Sequence, residues 1–315
     1  MMDAIAMREA YGRALVAYGE TNTDVVVLDA DTSGSTLTSY FAQRFPERFY
    51  NIGIAEPCMV DIAVGLALAG KIPFANAFAP LLALRALEQI RTCVCYARSN
   101  VKLAAAYAGV SDYKDGPTHH SLTDIAIMRA LPRMTVLVPA DAAEAARSVQ
   151  LAAEFDGPLY LRLSRAATLP VHQGEPAMEI GKGIVVRQGA DVSLIATGAM
   201  VGRSLAAAEA LADEGISARV IDVHTIKPLD VALIEQAAEE TGAVVTAEEH
   251  SIIGGLGGAV AEALAETWPA PVERVGVNDT FACTGPDPDS LMDAYGLAIE
   301  DIVAAAKRCI ARKCA

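Results

Sequence analysis

The feature that most constrains this chain is an alternation, repeated along its length, of short aliphatic runs with longer stretches of helical periodicity. The runs are "VVVLDA" (25–30), "KIPFANAF" (71–78), "VKLAAAYAG" (101–109), "TVLVPA" (135–140) and "PLYLRL" (158–163). A strand covered on both faces needs an apolar side chain at every position, so runs like these, separated by helices, predict a parallel sheet clad in helices. A second unit of the same kind opens with "VSLIATG" (192–198) and continues through "ARVIDV" (218–223), "AVVTAE" (243–248) and "VERVGV" (272–277). Between the units, "AATLPVHQGEPAMEIGKGIVVRQGA" (166–190) carries two prolines and four glycines without periodicity, as a connection between cores does. The fold class is therefore α/β with two doubly wound domains, residues 1–170 and 191–315, joined by a linker at 171–190. A length of 315 residues supports two cores.

Composition narrows the function. A net charge of -14 repels a phosphate backbone, so no nucleic acid is expected as a partner. The longest apolar stretch, "IAVGLALAG" (62–70), is shorter than the roughly 18 residues a membrane span needs, and reads as a buried helix. No membrane partner is expected. The start "MMDAIAMREAYGRAL" lacks the basic region and cleavage site of an export signal, which points to the cytoplasm. Six cysteines without a C-x-x-C spacing read as reduced thiols, with no metal site among them.

The common catalytic signatures are missing. No G-x-x-x-x-G-K-[ST] phosphate loop and no G-x-S-x-G elbow occur, and "GGLGG" (254–258) lacks dinucleotide-loop spacing. Two stretches stand out instead. In "RFYNIGIAEPCM" (48–59), Glu56 lies between apolar residues and a helix-starting proline, where an isolated acid is costly to bury. In "KDGPTHHSLTDIAIM" (114–128), Gly-Pro makes a turn, two histidines follow, and Thr118 or Ser121 is placed to cap the next helix. Each has an ordinary structural explanation: the helix dipole favours an acid at Glu56, and polar residues are common at turns. It is their order within two alternating units that carries weight.

At these residues the chain resembles the C-terminal half of the transketolase family, and in particular the C-terminal subunit of a split transketolase, over nearly its whole length. The matching stretches are "NIGIAE", "RALEQIR" (85–91), "DGPTHHSLTDIAIMR" (115–129), "LVPAD" (137–141), "TIKPLD" (225–230) and "TAEEHSIIGGLG" (246–257). The resemblance implies a pyrimidine-binding domain followed by a smaller transketolase C-terminal domain, and thiamine diphosphate as cofactor. It implies that Glu56 hydrogen-bonds the aminopyrimidine ring nitrogen and favours its imino tautomer, that Phe78 stacks on that ring, and that Asp31 lies near the thiazolium. His119 then contacts the donor sugar at its terminal hydroxyl or carbonyl region, and Asp115 contacts a sugar hydroxyl. Arg8, Ser35 and Arg165 match a site for the substrate phosphate.

Departures and omissions shape the expected substrate and partners. Tyr107 stands where the family commonly has a phosphate-contacting histidine, Leu81 replaces a second pyrimidine-pocket aromatic, and Pro57-Cys58 follow the glutamate. A modified sugar phosphate or another two-carbon donor fits these changes. The chain has no "GDG", the family motif that holds the diphosphate with a magnesium or calcium ion. An N-terminal partner subunit is expected to carry it, in a heterotetramer with active sites shared between chains. The "MVDIAVGLALAG" helix offers a packing surface. Two readings compete with a ketol-transferring transketolase subunit: the beta subunit of a 2-oxo acid dehydrogenase complex, and a non-catalytic scaffolding subunit of the same fold. A deoxyxylulose-phosphate synthase ranks after the dehydrogenase subunit.

Overall fold

The computed structural model describes residues 5–172 and 174–313. The first half runs α1 (Met7–Thr21), β1 (Val25–Asp29), α2 (Ser33–Thr36), α3 (Ser39–Arg44), β2 (Phe49–Asn51), α4 (Glu56–Leu68), β3 (Ile72–Phe78), α5 (Ala79–Arg85) and α6 (Leu87–Gln89). A π-helical turn, Ile90–Tyr96, then leads to β4 (Lys102–Ala106), α7 (Asp124–Ala130), β5 (Thr135–Leu137), α8 (Ala142–Glu154) and β6 (Leu159–Arg162). The second half holds β7 (Ile184–Arg187), β8 (Val192–Ala196), α9 (Met200–Asp213), β9 (Ala218–Asp222), β10 (Thr225–Lys227) and α10 (Val231–Thr241). It ends with β11 (Val244–Ser251), α11 (Leu256–Glu266), β12 (Val272–Val277), α12 (Pro288–Ala294) and α13 (Ile299–Lys313).

The strands form two sheets, of order β10-β5-β6-β4-β3-β1-β2 and β12-β11-β8-β9-β7. All pairings are parallel except β10 with β5 and β7 with β9. The continuous aliphatic runs lie at the centres: β1, β4, β5, β6, β8 and β9 are buried at every residue. This is the two-sheet, helix-clad α/β architecture that the alternation implies.

Three local expectations differ from the structure. "TIKPLD", counted with the second unit, sends β10 across to the edge of the first sheet, where Thr225 pairs with Leu137 and Lys227 with Val136. Ile226 enters a core shared by both sheets, and the Lys227 ammonium donates to the carbonyls of Arg129 and Leu131. Three residues are too few to bury a strand alone, so the segment takes its backbone partners from an existing edge. β7 lies inside the stretch read as linker. The "IAVGLALAG" helix is only half buried: Met59, Val60 and Ala63 of α4 pack inward, whereas Leu68 is 80% exposed. An apolar run at helical spacing has several faces, and one sheet covers only one.

The helix ends show where backbone polarity goes. Asp141 caps α8 by accepting from the Glu144 N–H at 2.9 Å. Neither Thr118 nor Ser121 caps α7; its N-cap is Thr123, without a side-chain bond. The glycine cluster is a helix N-terminus already filled by protein, since the Glu248 carboxylate accepts from the N–H groups of Leu256 (2.7 Å) and Gly257 (2.8 Å).

Candidate active site

In a parallel sheet the segments leaving the C-terminal ends of neighbouring strands share one edge, which is where ligands bind in open α/β folds. Here β6, β4, β3 and β1 are neighbours in that order. Arg165 follows β6, Tyr107 follows β4, Phe78 ends β3, and Asp31 and Ser35 follow β1. Residues scattered over the chain thus come to one rim through topology alone.

Tyr107 is the centre of this rim. Its backbone takes φ +62°, an uncommon left-handed conformation for a bulky side chain. Its ring stacks on Phe78 with centroids 4.4 Å apart, and His119 meets Phe78 edge-on at 5.9 Å. Arg8 Nη1 donates to the Tyr107 hydroxyl at 2.9 Å and to the Ser35 carbonyl at 3.0 Å. Arg165 lies over the same ring at 5.0 Å and Arg8 at 5.8 Å, so two guanidinium groups flank one aromatic ring. The structure therefore assembles Arg8, Ser35, Phe78, Tyr107, His119 and Arg165.

An acid pair borders the arginines. Arg165 Nη1 forms a 2.8 Å ion pair with the buried Asp112, whose other oxygen has no hydrogen-bond partner among the described residues. Burial and the neighbouring Asp115 carboxyl push Asp112 up to about 6, against the pull of Arg165 and His119. Asp115 itself is exposed, and His119 is half-buried with Nδ1 3.0 Å from Thr118 Oγ1. Asp112 was not singled out from sequence; its signal was the D-x-x-D spacing in "SDYKDG".

Glu56 and Asp31 stand apart from this aromatic corner. Glu56 begins α4, is 2% exposed, and is not isolated: Arg85, at the end of α5, donates Nη1 to its two oxygens at 3.1 and 3.3 Å. The isolated-acid expectation is corrected accordingly, because α5, which begins directly after Phe78, returns a cation to the acid. Asp31 is exposed, in left-handed backbone (φ +64°), and accepts from Asn51 at 3.0 Å. Two residues earlier, Asp29 is fully buried and accepts from the hydroxyls of Thr32, Thr36 and Thr38. Its position inside an apolar run gave no sign of that network.

The structure thus has two α/β domains, a buried acid at a helix start and a separate cationic, aromatic rim. The comparisons make the assignment. Residues 3–170 match the family model "Transketolase, pyrimidine binding domain" and residues 181–302 match "Transketolase, C-terminal domain". A protein from Methanocaldococcus jannaschii described as a transketolase C-terminal section is 44% identical over 94% of this chain and 93% of its own length. The 6-deoxy-6-sulfo-D-fructose transketolase subunit of a Clostridium species is 40% identical over 98% and 95%. A solved structure described as a split gene transketolase, inactive beta4 tetramer, superposes with TM-score 0.92 at 50% identity, covering 98% of this chain and 99% of that one. The chain belongs to the transketolase family, a family that uses thiamine diphosphate, and it corresponds to the C-terminal part of those enzymes. Among the described residues no helix is long and apolar enough to cross a membrane.

Proposed function

We propose that this chain is the C-terminal subunit of a thiamine-diphosphate-dependent transketolase, moving a two-carbon ketol unit from a ketose phosphate to an aldose acceptor. The observation that carries the reading is the rim on which Arg8, Arg165, Tyr107 and His119 converge beside Phe78. Glu56 fits the pyrimidine end of the cofactor: it is a buried carboxylate whose hydrogen-bond partner among the described side chains is a half-exposed arginine, so it can still accept from a ring nitrogen. Phe78 would stack on that ring and Asp31 would lie near the thiazolium. When bound, the cofactor supplies the electron sink for breaking the bond next to a carbonyl.

The chain's own residues then position and protonate. Arg8 and Arg165, with Ser35, hold the terminal oxyanion of the sugar by charge-assisted bonds. Tyr107 accepts from Arg8 and keeps its own O–H free to donate. His119 faces the donor near its reacting carbonyl, and Asp115 contacts a hydroxyl. Because Asp112 already neutralises part of Arg165, the corner suits one terminal anion on an otherwise neutral sugar. A relative named for a sulfonated fructose is consistent with that.

The diphosphate and its magnesium or calcium ion would be held by an N-terminal partner subunit, in a heterotetramer. The inactive beta4 assembly described for the structural neighbour supports the need for such a partner. The test is reconstitution with a separately expressed subunit carrying the diphosphate-binding domain, with thiamine diphosphate, magnesium, xylulose 5-phosphate and ribose 5-phosphate. Glyceraldehyde 3-phosphate should appear only when both chains are present, and Glu56→Ala should reduce turnover by at least about 100-fold. Full activity of the Glu56→Ala complex would leave this chain as a scaffold.

A further inference from the structure

Away from the candidate active site, three ionisable side chains from three parts of the chain meet at the junction of the domains. Glu144 comes from α8, His172 from the connecting segment and Asp222 from the end of β9. His172 Nε2 lies 2.8 Å from Glu144 Oε1 and 3.6 Å from Asp222 Oδ2. One donor atom from each of the three lies within 4.8 Å of the other two. Both acids are fully buried, and the His172 side chain is 11% exposed.

The polar accounting at this junction does not close. Glu144 Oε2 accepts from the Ala140 N–H at 2.8 Å, which leaves Oε1 directed at His172. Neither Asp222 oxygen has a hydrogen-bond partner among the described residues, although each is out of contact with water. Two residues on, His224 uses Nδ1 on Thr225 Oγ1 and has Nε2 buried without a partner among the described residues. A buried carboxylate with no donor is costly, and both Asp222 oxygens are in that position among the described residues. A divalent cation would satisfy these atoms, because it takes oxygen from each acid and nitrogen from a neutral imidazole.

The spacing suits such an ion. With bonds of about 2.0–2.2 Å, tetrahedral donors sit about 3.4 Å from one another; the His172 nitrogen lies 2.8 and 3.6 Å from the two acids, and all three donor atoms fall within 4.8 Å. One nitrogen and two carboxylate oxygens form a borderline donor set, which selects zinc-like ions over magnesium or calcium. We propose that Glu144, His172 and Asp222 form a binding site for a divalent transition-metal ion, zinc in the first instance, with the fourth position open to water or His224. The ion ties α8 of the first domain, the connecting segment and the second sheet together. It is a structural clamp, separate from the diphosphate's own metal, and it does not depend on the proposed ketol transfer.

The test uses the full chain, stripped of metal with a chelator and titrated with zinc, cobalt or magnesium. Zinc should bind with one-to-one stoichiometry, release protons and raise the thermal midpoint by roughly 5 °C, while magnesium has no such effect. Cobalt should give the visible absorption of a low-coordinate nitrogen and oxygen site, without the near-ultraviolet band of thiolate ligands. His172→Ala should lose binding, and so should Asp222→Asn, which keeps the shape of the acid and serves if the alanine variant fails to fold. Failure of zinc to bind at micromolar concentration, undiminished binding in a folded variant, or a thiolate band in the cobalt spectrum would overturn the proposal.

Discussion

Single residues at the rim carry the substrate reading, and their effects separate binding from chemistry. Replacing Arg165 with Gln keeps a donor for Asp112 but removes the cation that would face the substrate's anion. A hydrogen bond to a charged group is worth about 1.5–3 kcal/mol, so KM for a ketose phosphate should rise roughly 10- to 100-fold in the reconstituted enzyme. KM for the unphosphorylated ketose should not change, and steady-state kinetics on the two donors decide it. Glu249 offers a residue-level test of pH dependence. Burial pushes it up to about 7 from the ordinary 4.5, although Arg162 and the Val110 N–H oppose the shift. The folded chain therefore prefers this carboxyl protonated, and the stability it contributes declines as pH rises from about 4.5 to about 7, then levels off. Glu249→Gln retains an acceptor for Val110 and loses the titration. Its stability advantage over the parent should grow across that window, by at most about 3 kcal/mol, as denaturant melts at pH 5, 6, 7 and 8 would show.

At the scale of elements, the helix starts matter most. Glu248 fills the N-terminus of α11, and a side chain at Gly255 would overlap that carboxylate and approach His250 Nδ1 at 2.7 Å. Gly255→Ala should destabilise the chain by about 2–3 kcal/mol through displacement of the capping acid, seen as a lower thermal midpoint. The loss should be smaller in a Glu248→Gln background, where the displaced group carries no charge. Elements also show what sequence patterns could convey. Asp141 as the cap of α8 was readable because an acid before an apolar-periodic run has one local use. β10 was not readable, because three residues carry no usable period and their partner lies about 90 residues earlier in β5.

For the whole molecule, the question is what covers the apolar surface left by α4 and the π-helical turn. Leu68 is 80% exposed and Tyr96 is 81% exposed, on elements that pack against each other. Large apolar side chains left bare in this way mark surfaces that association covers. If copies of the chain associate through this face, Leu68→Glu should leave the secondary structure unchanged and shift the chain to a smaller species in sedimentation velocity. An unaltered sedimentation coefficient would place the assembly contact elsewhere.

The sequence alone determined the two α/β units and the motifs Glu56, "DGPTHH" and Arg165, because unbroken aliphatic runs and motif spacing are local properties of the chain. It also pointed to the family. The tertiary structure decided the rest: that Arg85 partners Glu56, that Asp112 claims part of Arg165, that Tyr107 sits between two arginines, and that Glu144, His172 and Asp222 meet at a domain junction. Each of these is a contact between residues from 28 to 99 positions apart or between segments with no common period. Such contacts follow from strand order and helix packing, and no local pattern in the chain encodes them.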